Sequence, residues 1–110
     1  MVRMGHADGM ITGATQNYPD CIKPIMKTIG TNLPGRPKVA GIMILVFKQR
    51  VVFLADCTVQ QNPNADDLAD IAASAAQLFR RVMQNEPRVA FLSYSNFGSN
   101  RDPQATKMAD

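Results

Sequence analysis

At 110 residues, with 45% hydrophobic and 19% charged side chains, the chain has the size and make-up of one soluble globular domain or subdomain. Its net charge of +3 comes from scattered lysines and arginines, and its only aromatics are two tyrosines and five phenylalanines, so it lacks the dense basic face of a nucleic-acid binder. The longest apolar run, Val39 to Phe47, falls well short of the roughly 20 residues of a membrane helix, and the opening Met-Val-Arg-Met-Gly-His has no signal-peptide stretch, which predicts a cytoplasmic protein.

In chain order, Gly9 to Gly13 reads as a short strand. Tyr18-Pro19-Asp20 then opens a helix with Ile22, Ile25, Met26 and Ile29 on one face. Pro24 lies inside that pattern, so the helix either starts there or carries a kink. Gly30 suits its C-terminal end. Asn32 to Lys38 is a loop by its prolines and glycine. Val39 to Phe47 and Val51 to Ala55 are strand-like, and the short polar Lys48-Gln49-Arg50 gap predicts an antiparallel hairpin. The near-continuous apolar character of both runs predicts a sheet covered on both faces.

Asn64 is a good N-cap, with Asp66 and Asp67 placed where negative charge suits the helix dipole. The helix it opens runs to about Gln84. Its predicted apolar stripe is Leu68, Ile71, Ala72, Ala75, Leu78, Phe79 and Val82. Arg88 to Tyr94 reads as a buried strand that exits into a polar loop, and Asp102-Pro103 starts a last helix. The β-α-β-β-α-β-α order predicts an α/β fold, a mixed sheet with a hairpin and flanking helices.

Three places could carry chemistry. The loop from Ser93 to Arg101 leaves a strand and precedes a helix, where open α/β folds bind ligands; Ser95, Asn96, Gly98 and Ser99 offer donors, unless they are ordinary turn residues. The segment Gly13 to Pro19 also leads from a strand into a helix, with Lys23 one turn in; it is either an anion site or a capped helix with a solvated lysine. Asp56 follows a strand and is read as organising the Asp56-Cys57-Thr58 turn rather than as a catalytic acid. With a single histidine, His6, the chain has no credible Ser/His/Asp or Cys/His arrangement. Cys21 and Cys57 with that histidine are too few for a four-ligand zinc site, and they are read as two free thiols.

Three stretches carry a family resemblance. Tyr18 to Gly30 resembles the helix of the phosphate acetyl/butyryltransferases that usually contains Arg-Pro-Ala-Leu-Gln. The segment from Phe53 to Ala72 is similar to that family's "ADxxVNxxPTAEELAxIA". Glu86 to Ser99 is similar to its "EPRVAxLSxSxxGS". Where phosphotransacetylases usually have Ser-Thr-Lys-Gly-Ser, this chain has Ser95-Asn96-Phe97-Gly98-Ser99; where they carry a His-Ser-Thr-type stretch, it has Gln16-Asn17-Tyr18-Pro19. Both variants resemble the phosphotransacetylase-like domain fused C-terminally to large bacterial NADP-dependent malic enzymes. Lys23 stands at the family arginine and lacks its bidentate fork.

The resemblance implies that residues 1–110 are a single subdomain, truncated at both ends, of the phosphotransacetylase (isocitrate/isopropylmalate dehydrogenase-like) fold. It implies a regulatory and oligomerising role, with acetyl-CoA as effector and Thr15, Tyr18, Lys23, Ser95, Asn96, Gly98, Ser99 and Arg101 lining the acetyl-CoA cleft. No cofactor is expected here; NADP and a divalent metal, Mg or Mn, belong to the malic-enzyme part. The partners expected are the remainder of that chain and further copies of it. The alternative is a fragment of an active phosphate acetyltransferase.

Overall fold

A computed structural model describes residues 1–30, 39–96 and 98–110; the loop expected at 32–38 lies outside them, as does Phe97. The chain divides into two compact units, Met1–Val39 and Ala40–Asp110.

In the first unit a 3-10 turn at Val2–Met4 precedes helix α1, Tyr18–Thr28. Pro19 sits in the first turn, where its missing N–H costs nothing. The helix runs through Pro24, which removes the amide that the Asp20 carbonyl would have received. Asp20 in the first turn and Lys27 in the last both match the helix dipole. At the end, Ile29 N donates to Ile25 O (2.8 Å), and Gly30 takes φ 73°, the left-handed conformation that favours glycine. The Arg3 guanidinium donates to the Thr28 carbonyl (3.1 Å), a cation on a helix-end acceptor. Residues 9–13 do not form a strand. They meet no neighbouring strand among the described residues, and Ile11 is fully exposed.

In the second unit the expected hairpin forms. Strands β1 (Ile42–Val46) and β2 (Val51–Ala55) pair antiparallel from Val46–Val51 to Ile42–Ala55. Helix α2 (Ala65–Met83) follows, started by a reciprocal capping box: Asp67 N donates to Asn64 Oδ1 (2.8 Å), and Asn64 N to Asp67 Oδ2 (3.2 Å). Arg80 and Arg81 close its last turn, and Arg80 Nε grips the Glu86 carboxylate at 2.9 and 3.1 Å. Helix α2 packs on β2, with Phe79 edge-on to Phe53 at 5.1 Å between ring centroids.

The core is narrower than the sequence suggests. Ile71 is buried, and Leu68, Ala72, Ala75 and Phe79 are half-buried, a stripe at i, i+3, i+4, i+7 and i+11. Leu78 and Val82 are exposed, at 36% and 55%, although they lie within about 20° of Ile71 around the helix; they stand two and three turns further along it. The sheet is not covered on both faces either: Met43, Ile44 and Val46 of β1 are exposed.

Residues 88–94 correct a second expectation. They form no strand: no backbone hydrogen bond joins them to another described residue, and Val89, Phe91, Leu92 and Tyr94 are exposed. A strand needs a partner edge, and none reaches this segment. The last helix, α3, is a single turn, Pro103–Thr106, followed by a turn rather than more helix. The fold is therefore α/β with one two-stranded antiparallel sheet among the described residues, in place of the mixed sheet expected.

Candidate functional site

The Ser93–Arg101 loop is built from its own polar side chains. Ser95 N donates to Ser93 Oγ (3.0 Å). The Ser95 hydroxyl accepts from Asn100 N (3.0 Å) and donates to Asn100 O (3.3 Å), a staple across the loop. Ser99 N donates to Asn96 O (3.0 Å), the turn that brings those two residues together, with Gly98 inside it at φ 73°. Asn100 Oδ1 accepts from Asp102 N (2.9 Å), and Asp102 Oδ1 accepts from Gln104 N (2.7 Å) at the start of α3.

That last bond matters electrostatically. The Asp102 carboxylate already holds an amide of the α3 start and places a negative charge beside the exposed Arg101. Tyr94 was not singled out from sequence. Slight desolvation, then the hydrogen bond and the negative charge of Asp102, raise its phenol above the ordinary 10.0. A tyrosine eight residues before an aspartate leaves no local pattern, so only the fold could reveal the pair.

The loop is tied down at its far end by Lys107. Its ammonium donates to Asn62 Oδ1 (2.9 Å), the Pro63 carbonyl (2.9 Å) and Gln104 Oε1 (2.7 Å). Read in sequence as one more scattered charge, Lys107 instead anchors the chain after α3 to the entry of α2. Ala105 is buried beside it in the sequence.

The Asp56 carboxylate is held by four backbone amides. Its Oδ1 accepts from Gly41 N (3.1 Å), Thr58 N (3.0 Å) and Val59 N (3.1 Å), and its Oδ2 from Gln60 N (2.8 Å). Desolvation acts to raise its pKa, but the amides of Thr58, Val59, Gln60 and Gly41 outweigh it, and the carboxyl lies below its ordinary 3.8. With both oxygens occupied by amides, Asp56 organises the turn, as its position suggested, and clamps the start of β1 to the end of β2. Gly41 is a glycine for the same reason. A Cβ there would run into Thr58 Oγ1 and stand 3.3 Å from Asp56 Oδ1. Gly41→Ala is expected to lower stability by about 1–3 kcal/mol through overpacking, read from the urea midpoint.

In the first unit, Thr15 lies in an exposed bend before α1, Tyr18 is the first residue of α1, and Lys23 is exposed five residues on. Five residues turn about 140° around a helix, so α1 does not direct Tyr18 and Lys23 the same way. Cys21, between them, is buried, with Sγ 3.7 Å from Gln16 Oε1; Cys57, in the second unit, is exposed, and both are free thiols. Among the described residues no group of three His, Cys, Asp or Glu could hold a metal ion. No helix among them is long and apolar enough to cross a membrane.

Known proteins match this chain along its full length. The family model described as phosphate acetyl/butaryl transferase matches residues 1–110. An NADP-dependent malic enzyme of Rhizobium meliloti is 40% identical over 100% of this chain and 15% of its own length. A phosphate acetyltransferase of Nitratidesulfovibrio vulgaris is 38% identical over 100% of the chain and 15% of its own length. One from Clostridium acetobutylicum is 34% identical over 94% of the chain and 33% of its own length. The chain thus spans between about one seventh and one third of these curated relatives.

Proposed function

The chain belongs to the phosphate acetyl/butaryl transferase family, and from that premise we propose that it is a regulatory and oligomerising phosphotransacetylase-like subdomain of a cytoplasmic NADP-dependent malic enzyme, responsive to acetyl-CoA and not itself catalytic. The observation that carries this reading is the 40% identity to a malic enzyme over the whole chain, in a stretch amounting to 15% of that relative. The parent would decarboxylate malate oxidatively to pyruvate. NADP and a divalent metal, Mg or Mn, would be held by the remainder of that parent.

The loop chemistry favours binding over catalysis. The hydroxyls of Ser93 and Ser95 are spent on folding the loop, and His6, the sole histidine, lies in the first unit far along the chain from them. Acetyl-CoA contacts are proposed at Thr15, Tyr18 and Lys23 in the first unit, and at Ser95, Asn96, Gly98, Ser99 and Arg101 in the second. Arg101 is the most informative, because an exposed guanidinium can meet a CoA phosphate with a charge-assisted bond worth about 1.5–3 kcal/mol. In the full-length polypeptide, Arg101→Ala is expected to weaken acetyl-CoA inhibition about tenfold, since about 1.4 kcal/mol is one decade. Malate turnover without effector should stay near wild type. An unchanged inhibition constant would remove Arg101 from the site, and unchanged constants for Ser95→Ala and Ser99→Ala as well would discard the loop.

A second reading has its own support. Phosphate acetyltransferases match at 34–39% identity over at least 90% of the chain, so a part of an enzyme moving acetyl between CoA and phosphate is the alternative.

A further inference from the structure

Eight aspartates occur in the sequence, and only Asp8 is followed by glycine. Asp8 lies in an exposed bend between the Val2–Met4 turn and α1, and Gly9 beside it is exposed as well. Among the described residues, neither the Asp8 carboxylate nor the Gly9 amide takes part in a hydrogen bond or an ion pair. The fold does not call for a glycine there. The φ of Gly9 lies outside the left-handed range that Gly5, Gly13 and Gly30 adopt, and a Cβ on it would meet no atom within 4 Å.

We infer that Asp8–Gly9 is a site of spontaneous backbone isomerisation, where the fold leaves an aspartate free to become a β-linked isoaspartate. The chemistry balances with water alone. The Gly9 nitrogen attacks Asp8 Cγ, the N–Cγ bond forms, and one carboxyl oxygen leaves as water with the amide proton and a proton from solvent. The product is a five-membered succinimide. Water then adds to either ring carbonyl. Breaking the bond from nitrogen to the Asp8 backbone carbonyl frees the α-carboxylate and leaves Gly9 joined through Cγ, so the backbone gains one carbon. Breaking the N–Cγ bond restores aspartate.

Two conditions set the rate: a carboxyl free to turn, and a following nitrogen that no side chain crowds. Glycine meets the second because it has no Cβ. The other aspartates fail on one or both counts. Asp20 stands in α1, and the amide after it, Cys21 N, donates to Asn17 O (3.2 Å). Asp66, Asp67 and Asp70 stand in α2, where the helical backbone fixes the next amide. The Asp56 carboxylate is held by its four amides. Asp102 precedes Pro103, which has no N–H to lose. No asparagine precedes a glycine, so deamidation at an Asn-Gly pair cannot supply the same product. The inference is independent of whether acetyl-CoA binds.

The full-length polypeptide carrying this chain is aged at neutral pH, folded and in guanidinium, beside its Gly9→Ala variant. Isoaspartate is counted by transfer of a labelled methyl group from S-adenosylmethionine, using a methyltransferase that accepts the isoaspartyl carboxylate. It is located with an endoproteinase that cuts before aspartate and not before isoaspartate. The folded wild type should gain isoaspartate at position 8 within about tenfold of the rate in guanidinium, because an exposed, unbonded segment opens at almost no cost in free energy. Gly9→Ala, for which the fold has room, should keep the wild-type urea midpoint and isomerise severalfold more slowly. A folded rate slower than in guanidinium by more than about tenfold would overturn the inference, since the native polypeptide then holds the segment. Equal rates in wild type and Gly9→Ala would overturn it too, because the unhindered nitrogen would then not be what makes the site.

Discussion

Replacing Asp56 by alanine is expected to destabilise the second unit by about 2–4 kcal/mol, because four amides lose a charged acceptor and solvent re-satisfies them only in part. The bonds run from Gly41 at the start of β1 and from Thr58, Val59 and Gln60 after β2, so the loss loosens the open end of the hairpin on both strands at once. The same geometry sets a pH dependence. Asp56 has a folded pKa below its ordinary 3.8, so its contribution is fully present above that value and is lost as pH falls through the depressed one. Asp56→Asn keeps the shape and removes the titration. Urea midpoints of wild type and Asp56→Asn should differ by a constant amount from about pH 7 to pH 5, then converge below pH 3.8. A gap that holds unchanged into strong acid would mean that the amides contribute no charge-dependent stability.

The second large effect is expected at Ile71, the buried centre of the α2 stripe, at 7% exposure. Ile71→Ala removes methyl groups from a site walled by β2 and should cost about 2–5 kcal/mol. Leu78, two turns further along α2 and 36% exposed, should lose less than half as much on the same change. Gln77→Ala, on the exposed side, should stay within about 0.5 kcal/mol. Guanidinium unfolding of the three variants reads the order directly. Equal losses at Ile71 and Leu78 would place the core differently.

These two sites also show what could be read without coordinates. The N-cap at Asn64, the dipole-matched charges of α2 and the hairpin around Lys48-Gln49 are local signals, and each appears where its residues put it. The role of Asp56 was legible too, since an acid leaving a strand into a Cys-Thr turn has amides within reach. The strands expected at 9–13 and 88–94 failed for a physical reason: apolar extended sequence says that a segment can pair, not that an edge is there to meet it. Leu78 and Val82 misled in a related way. A helical period marks a face, but how far along the helix that face is covered depends on the length of what it packs on, here a five-residue strand against a 19-residue helix. At the Ser93–Arg101 loop the sequence offered polar groups, but not that Ser95 and Asp102 would turn inward to fold it.

The central proposal, a regulatory acetyl-CoA-responsive domain rather than an acetyltransferase, divides on a single pair of rates. The full-length polypeptide carrying this chain is assayed for NADP-dependent malate oxidation with rising acetyl-CoA, and in parallel for acetyl phosphate formed from acetyl-CoA and phosphate. The account predicts malate oxidation that falls as acetyl-CoA rises, with acetyl phosphate no higher than in a protein-free control. Acetyl phosphate accumulating in proportion to protein, with no malate oxidation, would contradict it and establish the phosphate acetyltransferase reading instead.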